Sequence, residues 1–551
     1  MTPSLSNADV AGKDRYDGAQ RKAVRIWTTA LIVLCVGALW LEFRNIAGTL
    51  PYPQNVDEPA ISRAALRTLT TGTLRPGSWN YPPLAKYLAA AGMAVGLVRD
   101  AAHLETREIQ RVGKIGYPYY ETRRVIQTAR QLFAFLSITA LAATGLSAWF
   151  AFRQPATILL APLFLFASPL FFYQSWAYLN VDIIGACFVT LAIAACLHGM
   201  RNRSMFGLAI APGLLAGLAT GSKYTQALVI LPITVAIGLF TEPGRKAHAI
   251  VVAIAAMLVA FLLVAPCLVD IPGFLNGIAA EAFHYAKGHR GAEADPGLPQ
   301  LVFYARHFAS EFGVGAILSL LGVFIYARAD WRRAAVLAIF PVGVLWLLIS
   351  QRVHFTRNVL SLHPVVAMFA AFGLVSLYRW VLEFAARREW GRQAGRRSVR
   401  AAVGLVLVVA TVPLWHVAAN LGDRRDSRNL VTAWIEEHLP PGWTVVVPKQ
   451  LGFDVRGLKA HGRRVVVVDL QSVRDAEALQ ALLSGVPSPA VIMAPQWGAD
   501  TRFPRQELAA VLNDLCRHWQ VMKKFGTNEV LVNYFYPNPR GDPTFAIAAL
   551  P

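Results

Sequence analysis

Asp57 and Glu58 stand side by side ahead of Pro59 in the stretch Pro51–Leu88, PYPQNVDEPAISRAALRTLTTGTLRPGSWNYPPLAKYL. A carboxylate on a turn can take a proton from a hydroxyl, so this pair is the first candidate for general-base chemistry. Further along, Asp182 ends the run Tyr178-Leu179-Asn180-Val181-Asp182, Lys223 lies in Gly221-Ser222-Lys223-Tyr224, and His354, Arg357 and Asn358 share the segment Val353–Asn358. Lysine binds anions as a point charge and arginine through its planar fork, so these cations suit phosphate. Ionisable groups in apolar surroundings are costly and tend to mark functional sites.

The local sequence separates the two adjacent carboxylates. Proline suits the first turn of a helix, and the residue before it avoids the α region, which predicts Glu58 as the N-cap and Asp57 just outside the helix. Glu58 then has a capping role beside the positive helix end, whereas Asp57 is free to act on a ligand. The helix is expected from about Ala60 to Thr71, with a stop at Gly72. Arg75-Pro76-Gly77 leads on to Trp79, Tyr81, Pro82 and Pro83, a rigid aromatic loop that re-enters an apolar segment through Lys86.

The elements that must carry these residues are mostly membrane helices. Of 551 residues, 55% are hydrophobic and only 16% charged, with a mean hydropathy of +0.42, which predicts a polytopic membrane protein. The net charge of +20 would suggest nucleic acid in a soluble chain. Here most basic residues fall in short loops between spans, which favours a topology signal and no nucleic-acid partner. Of the five cysteines, Cys35, Cys187, Cys196 and Cys267 lie in apolar segments and Cys516 in the polar tail, so neither a disulfide framework nor a metal-cysteine site is implied.

Apolar runs of spanning length fall at 26–46, 125–151, 156–173, 179–200, 205–220, 224–241, 247–269, 307–327, 333–350, 358–382 and 399–419, about eleven helices. The shorter segment Leu84–Val98 reads as lying along the interface. The first run lacks a small-residue cleavage site and reads as an uncleaved span after a cytoplasmic tail, 1–25. Arginines and lysines then gather in alternate loops, the heaviest at 387–400, and the rule that cytoplasmic loops are basic orients the chain. The membrane body is 26–419, in an inner (plasma) membrane, and its long loops 47–124 and 270–306 face outside. Residues 420–551 form an extracytoplasmic domain. Its β-branched runs Thr444–Val447, Arg464–Leu470 and Ala490–Met493, with a helical stretch Ser472–Leu483, predict a small parallel α/β layer acting as a lid or docking module. All the candidate groups above collect on the outer side.

The D-E pair, the short helix and the Y-P-P-L turn into Lys86-Tyr87-Leu88 resemble the polyprenyl-phosphate-sugar-dependent glycosyltransferases of the GT-C superfold, which include protein O-mannosyltransferases and lipid A aminoarabinose transferases. The segments A-Y-L-N-V-D-I-I, G-L-A-T-G-S-K-Y-T and V-H-F-T-R-N-V-L-S-L-H-P, and the start of the outer tail at Ser427-Arg428, are similar to that family as well. Asn358 departs from it, because an aromatic usually follows the arginine. The resemblance implies transfer of a sugar from a polyprenyl-phosphate donor to a lipid, glycan or protein acceptor, with inversion. Asp57 would be the general base, and Glu58, Tyr81, Lys86, Asp182, Lys223, His354 and Arg357 would bind substrate. Glu58 and Asp182 are the candidates for a divalent cation, a weak set without a histidine pattern. Arg123, Arg124 and Arg130 could meet phosphate or lipid, His363 reads as structural, and the loop with Glu281, His284, Tyr285, Lys287 and His289 could cover the site. The competing class is a transporter or flippase of a lipid-linked or anionic substrate, against which stand the long D-E loop, the outer tail and the lack of a two-half hydropathy pattern.

Overall fold

A computed structural model describes residues 7–55, 57–100, 123–202, 204–289 and 292–387, and, with short gaps, 397–408, 426–449, 453–495, 521–525 and 545–549. Most of the eleventh apolar run, all of 101–122 and Cys516 lie outside the described residues. The chain divides into two units: one of residues 1–43, 67–91 and 129–418, and one of residues 44–66, 92–128 and 419–551. The second unit therefore gathers part of the first long loop with the tail, a division that no linear reading of composition would draw.

The first unit is helical. Six described helices are long and apolar enough to cross a membrane, or eight if each sharply bent pair counts as one span. α1 (Asn7–Thr49) runs without a break from the polar N-terminal segment through the first apolar run. α2 is Asp57–Thr71, α3 Leu84–Asp100 and α4 Arg123–Phe152. The run expected at 156–173 is instead two helices, α5 (Thr157–Phe166) and α6 (Pro169–Trp176), bent by 76°. The sequence builds this bend: Ser168 caps α6 by accepting from Phe171 N, and Pro169 opens the helix. α7 is Val181–Asn202. The runs at 205–220 and 224–241 are shorter apolar helices, Phe206–Ser222 and Tyr224–Phe240, separated by extended backbone at Lys223; their α-helical parts are α8 (Ala211–Ser222) and α9 (Ile230–Phe240).

α10 (Lys246–Val264) leads to α11 (Ile271–Lys287), which Asp270 caps through Gly273 N at 3.1 Å. α12 (Leu298–Phe312) and α13 (Val314–Ala329) meet at 108° about Gly313, whose φ of +52° favours glycine. α14 is Trp331–Ile349, and a 3₁₀ turn, Thr356–Leu362, opens α15 (His363–Arg387). Gly322 and Gly373 let α13 and α15 approach closely: a Cβ on either would strike the other helix's backbone carbonyl.

In the second unit, α16 (Ser427–His438), α17 (Val455–Ala460) and α18 (Ala476–Leu483) accompany a five-stranded sheet. Its strands are β1 (Thr444–Pro448), β2 (Arg464–Val468), β3 (Ala490–Pro495), β4 (Val521–Phe525) and β5 (Phe545–Ala549), in the order β2-β1-β3-β5-β4. β1 pairs in parallel with β2 and β3, while β5 runs antiparallel between β3 and β4. The sheet is therefore mixed, not wholly parallel as expected. Val445 and Val447 face one core with Val431, Ile435 and Leu458, and Val446 faces the other with Leu470 and Leu479. That is the alternation a strand buried on both faces produces.

Candidate functional site

Asp182 and Lys223, 41 residues apart in sequence, form a buried ion pair. Lys223 Nζ donates to Asp182 Oδ1 at 2.7 Å, and the two side chains are only 6% and 3% exposed. Local chemistry delivers both. Asn180 Oδ1 accepts from Ile183 N and its Nδ2 donates to the carbonyls of Gln174 and Tyr178, which fixes the start of α7 and puts Asp182 in its first turn. Lys223 sits where the helix breaks, with φ −153° and ψ 129°, so its side chain leaves the apolar helix line.

Lys223 Nζ also donates to Asn358 Oδ1 at 2.7 Å, and Tyr285 OH donates to the same oxygen at 3.2 Å. Asn358 comes from the 3₁₀ turn and Tyr285 from α11, so four elements converge on one polar cluster. Tyr285 is held there because its carbonyl accepts from Arg352 N and Val353 N, while His354 N donates to Ala292 O. Burial alone would pull the Lys223 ammonium down, but the Asp182 carboxylate, with a smaller effect from Tyr285, raises it net. Burial raises the Tyr285 phenol, which keeps it a donor. Arg357 lies within electrostatic reach of Lys223, Tyr178 and Tyr285, half-buried, its guanidinium 5.2 Å from the Phe355 ring centre. His354 stacks on Phe303 at 4.1 Å, and burial holds its imidazole below the ordinary value.

The aromatic loop is fastened to the same break. Tyr224, next to Lys223, donates its hydroxyl to Trp79 O at 2.9 Å, and Trp79 Nε1 donates to Asp270 Oδ2 at 3.1 Å. Lys86 Nζ donates to the carbonyls of Ser78 at 2.6 Å and Pro76 at 3.3 Å. Lys86 therefore shapes the loop through its backbone. Tyr81 is half-buried at the turn into α3.

Asp57 and Glu58 belong to the second unit, and there the expected cap is corrected. α2 begins at Asp57, so both carboxylates lie in its first turn, and the capping group is Asn55, whose Oδ1 accepts from Asp57 N at 3.0 Å. The N–H groups of a first turn have no partner within the helix, so a proline is tolerated there, and the Asn55 cap outweighs the restriction that Pro59 places on Glu58. Glu58 is fully buried, with Oε2 accepting from Gln54 N at 3.4 Å, while Asp57 is half-buried.

The tail clamps this loop. Gln54 Nε2 donates to Asp426 Oδ2 at 2.9 Å; Asp426 is held by Arg428 through both oxygens, each at 2.9 Å; and the Arg428 guanidinium lies 3.8 Å from the Tyr52 ring centre. Asn429 Nδ2 donates to the carbonyls of Gly48 and Leu50. Sequence reading missed Asp426, Asn55, Asp270 and Tyr304; the first three each stand one or two residues ahead of a helical run, the signature of a cap.

Among the described residues, no group of three or more His, Cys, Asp or Glu side chains could hold a metal ion. Asp182 Oδ1, one member of the weak cation set, already faces an ammonium, so that set does not fit a divalent cation.

Residues 119–269 match the family model described as dolichyl-phosphate-mannose-protein mannosyltransferase. The matched segment contains Asp182 and Lys223; the D-E loop, Asn358 and Arg357 lie outside it. Among solved structures, the chain is similar to ArnT from Cupriavidus metallidurans in the apo state, at 14% identity and TM-score 0.47, over 95% of this chain and 98% of that one. The same protein bound to undecaprenyl phosphate gives 13% and 0.49 over the same shares. An apo oligosaccharyltransferase from Archaeoglobus fulgidus gives 12% and 0.46, over 84% of this chain and 69% of that one. No curated protein matches the sequence.

Proposed function

We propose that this chain is a membrane glycosyltransferase that moves a sugar from a polyprenyl-phosphate donor to an envelope acceptor on the extracytoplasmic face. The observation that carries the reading is the buried Asp182–Lys223–Asn358 cluster, which keeps a charged lysine at a helix break inside the segment matching the mannosyltransferase family. Ionisable groups kept in apolar surroundings tend to mark functional sites, even where, as here, a carboxylate partners the ammonium. Asp182 and Asn358 occupy two of its three N–H groups, and the third is a donor for a phosphate oxygen. Arg357 would meet the same phosphate through its fork, and the two cations would compensate the charge that develops on the departing lipid phosphate.

Asp57 would take the proton of the acceptor hydroxyl as its oxygen attacks the anomeric carbon. The bond from that carbon to the phosphate oxygen breaks, and the configuration inverts. This role is supported by the clamp on residues 50–58, because a base must be held in place to be effective. Glu58, buried and bonded to the loop's own backbone, would support Asp57. The acceptor is a lipid, glycan or protein hydroxyl.

The test is transfer of labelled sugar from a panel of polyprenyl-phosphate donors, in membranes that contain either the wild type or Asp57→Asn. Transfer by the wild type that collapses in the variant at equal protein level supports the reading. Equal transfer by both removes Asp57 from the chemistry, and no transfer from any donor favours flipping of a lipid-linked sugar.

A further inference from the structure

Asn358 cannot be turned over. Lysine only donates hydrogen bonds, so the amide oxygen must face Lys223, and Tyr285 donates to the same atom. The Nδ2 group is thereby pointed away from the ion pair. Asn358 is 3% exposed and its Nδ2 has no hydrogen-bond partner; the neighbouring Tyr304 is 1% exposed, and its hydroxyl has none either. The two side chains lie close together, on the 3₁₀ turn and α12, but off hydrogen-bond geometry. Two buried polar groups left unmade side by side are expensive in any interior and call for a partner.

The chemistry of that partner follows from the two groups. Both are neutral. An amide N–H offers a donor, and a phenol offers both a lone pair and a proton. A hydroxyl can accept from the first and donate to the second at once, so it meets the phenol's lone pair as well as the amide's proton, whereas a phosphate oxygen could only accept from the two and would leave that lone pair unused. We infer that Asn358 and Tyr304 read one hydroxyl of the transferred sugar, and so set which sugar the protein accepts. This rests on the glycosyltransferase reading above and adds a specificity element to it. A site built to hydrogen-bond a hydroxyl rejects the analogue that lacks it, because its own polar groups are then stranded. Asn358 stands where related enzymes usually have an aromatic, so the element would be particular to this chain.

The experiment uses the full chain in detergent with the best donor among undecaprenyl-phosphate-linked mannose, glucose, galactose and arabinose, together with its monodeoxy analogues. Wild-type protein should discriminate against one monodeoxy donor by about tenfold or more. Tyr304→Phe removes a single unpaired oxygen and should fold as the wild type does; in it, and in Asn358→Leu, that discrimination should shrink towards unity. Inhibition by sugar-free undecaprenyl phosphate should stay at the wild-type value in Tyr304→Phe. Undiminished discrimination in Tyr304→Phe, or weaker inhibition by sugar-free undecaprenyl phosphate in step with the loss of transfer, would overturn the inference while leaving the enzyme reading intact. If the wild type transfers no sugar, the enzyme reading falls and takes this inference with it.

Discussion

The Asp182–Lys223 pair permits a test that separates holding the fold from doing chemistry. Both side chains are almost fully buried at 2.7 Å. Asp182→Leu strands an ammonium and Lys223→Met strands a carboxylate. Breaking a buried pair from one side costs about 3–5 kcal/mol, while replacing both partners by apolar groups is often neutral or stabilising. The double variant still leaves Asn358 Oδ1 with one donor fewer, since only Tyr285 remains. That loss is worth about 1 kcal/mol. The double variant should therefore unfold within about 1–2 kcal/mol of the wild type, well above either single variant. Unfolding in detergent, followed by tryptophan fluorescence and size-exclusion recovery, reads this ordering. Sugar transfer should behave differently: all three variants should fall by at least about a hundredfold, because none keeps the lysine beside an intact partner. A double variant that transfers at the wild-type rate would refute the phosphate role and leave the pair as a brace. Single variants that lose less than about 1 kcal/mol would show that the pair is not desolvated at all.

Gly277 faces the backbone of Trp79, where a Cβ would be 2.7 Å from the carbonyl carbon; Gly277→Ala should lower stability by about 1–3 kcal/mol and displace the aromatic loop, which limited proteolysis between Thr71 and Asn80 would reveal. Burial pulls Lys86 from 10.5 to about 8. Between those values the folded chain holds fewer protons than the unfolded one, so this group makes stability rise with pH, by on the order of 3 kcal/mol at most. Melting scans at pH 7.5 and 9.5 should show that rise in the wild type relative to Lys86→Met, and a parallel response of the two would sink the assignment. Arg428→Ala leaves Asp426 buried without its fork; transfer should fall mainly in kcat, by about tenfold or more, if the clamp orients Asp57, and a change confined to KM would argue against it.

The helices of the first unit were legible because an apolar run long enough to cross a membrane has few other uses, and the three parallel strands because Val-rich runs bounded by turns have few others. The ion pair was not legible as a pair. Asp182 and Lys223 each looked like a helix-end charge, and nothing local marks the 41-residue separation that unites them. Asn358 looked like a defect in a familiar pattern, and its amide proves to be the oxygen that ties Lys223 to Tyr285. The loop-shaping contacts of Lys86 were not legible either, because its partners, two carbonyls eight and ten residues back, leave no trace in side-chain chemistry. The cap differs from the expected one because the Asn55 side chain competes for the first-turn N–H of Asp57, a local effect that the constraint from Pro59 does not reveal.

The same physics explains why the runs expected at 156–173 and 307–327 prove to be bent and why the polar cluster lies at a break. In apolar surroundings an unpaired backbone group costs several kcal/mol, so a helix can bend there only where side chains meet the freed groups. At the bend before α6, Ser168 Oγ accepts from Phe171 N, Glu311 Oε2 accepts from Leu170 N and from Ser168 Oγ, and His363 Nδ1 lies 3.0 Å from that hydroxyl. With its proton given to Glu311, Ser168 must accept from His363, which leaves His363 Nε2 as the acceptor for His307 at 3.4 Å. Window averages pass over Ser168-Pro169 and Gly313 because the flanking residues are apolar. The bends nonetheless bring polar side chains from distant helices together, as the break at Lys223 does. Straight helices would present those positions to apolar neighbours, so the interruptions that blur the hydropathy pattern are what allow a charged cluster to exist inside this fold.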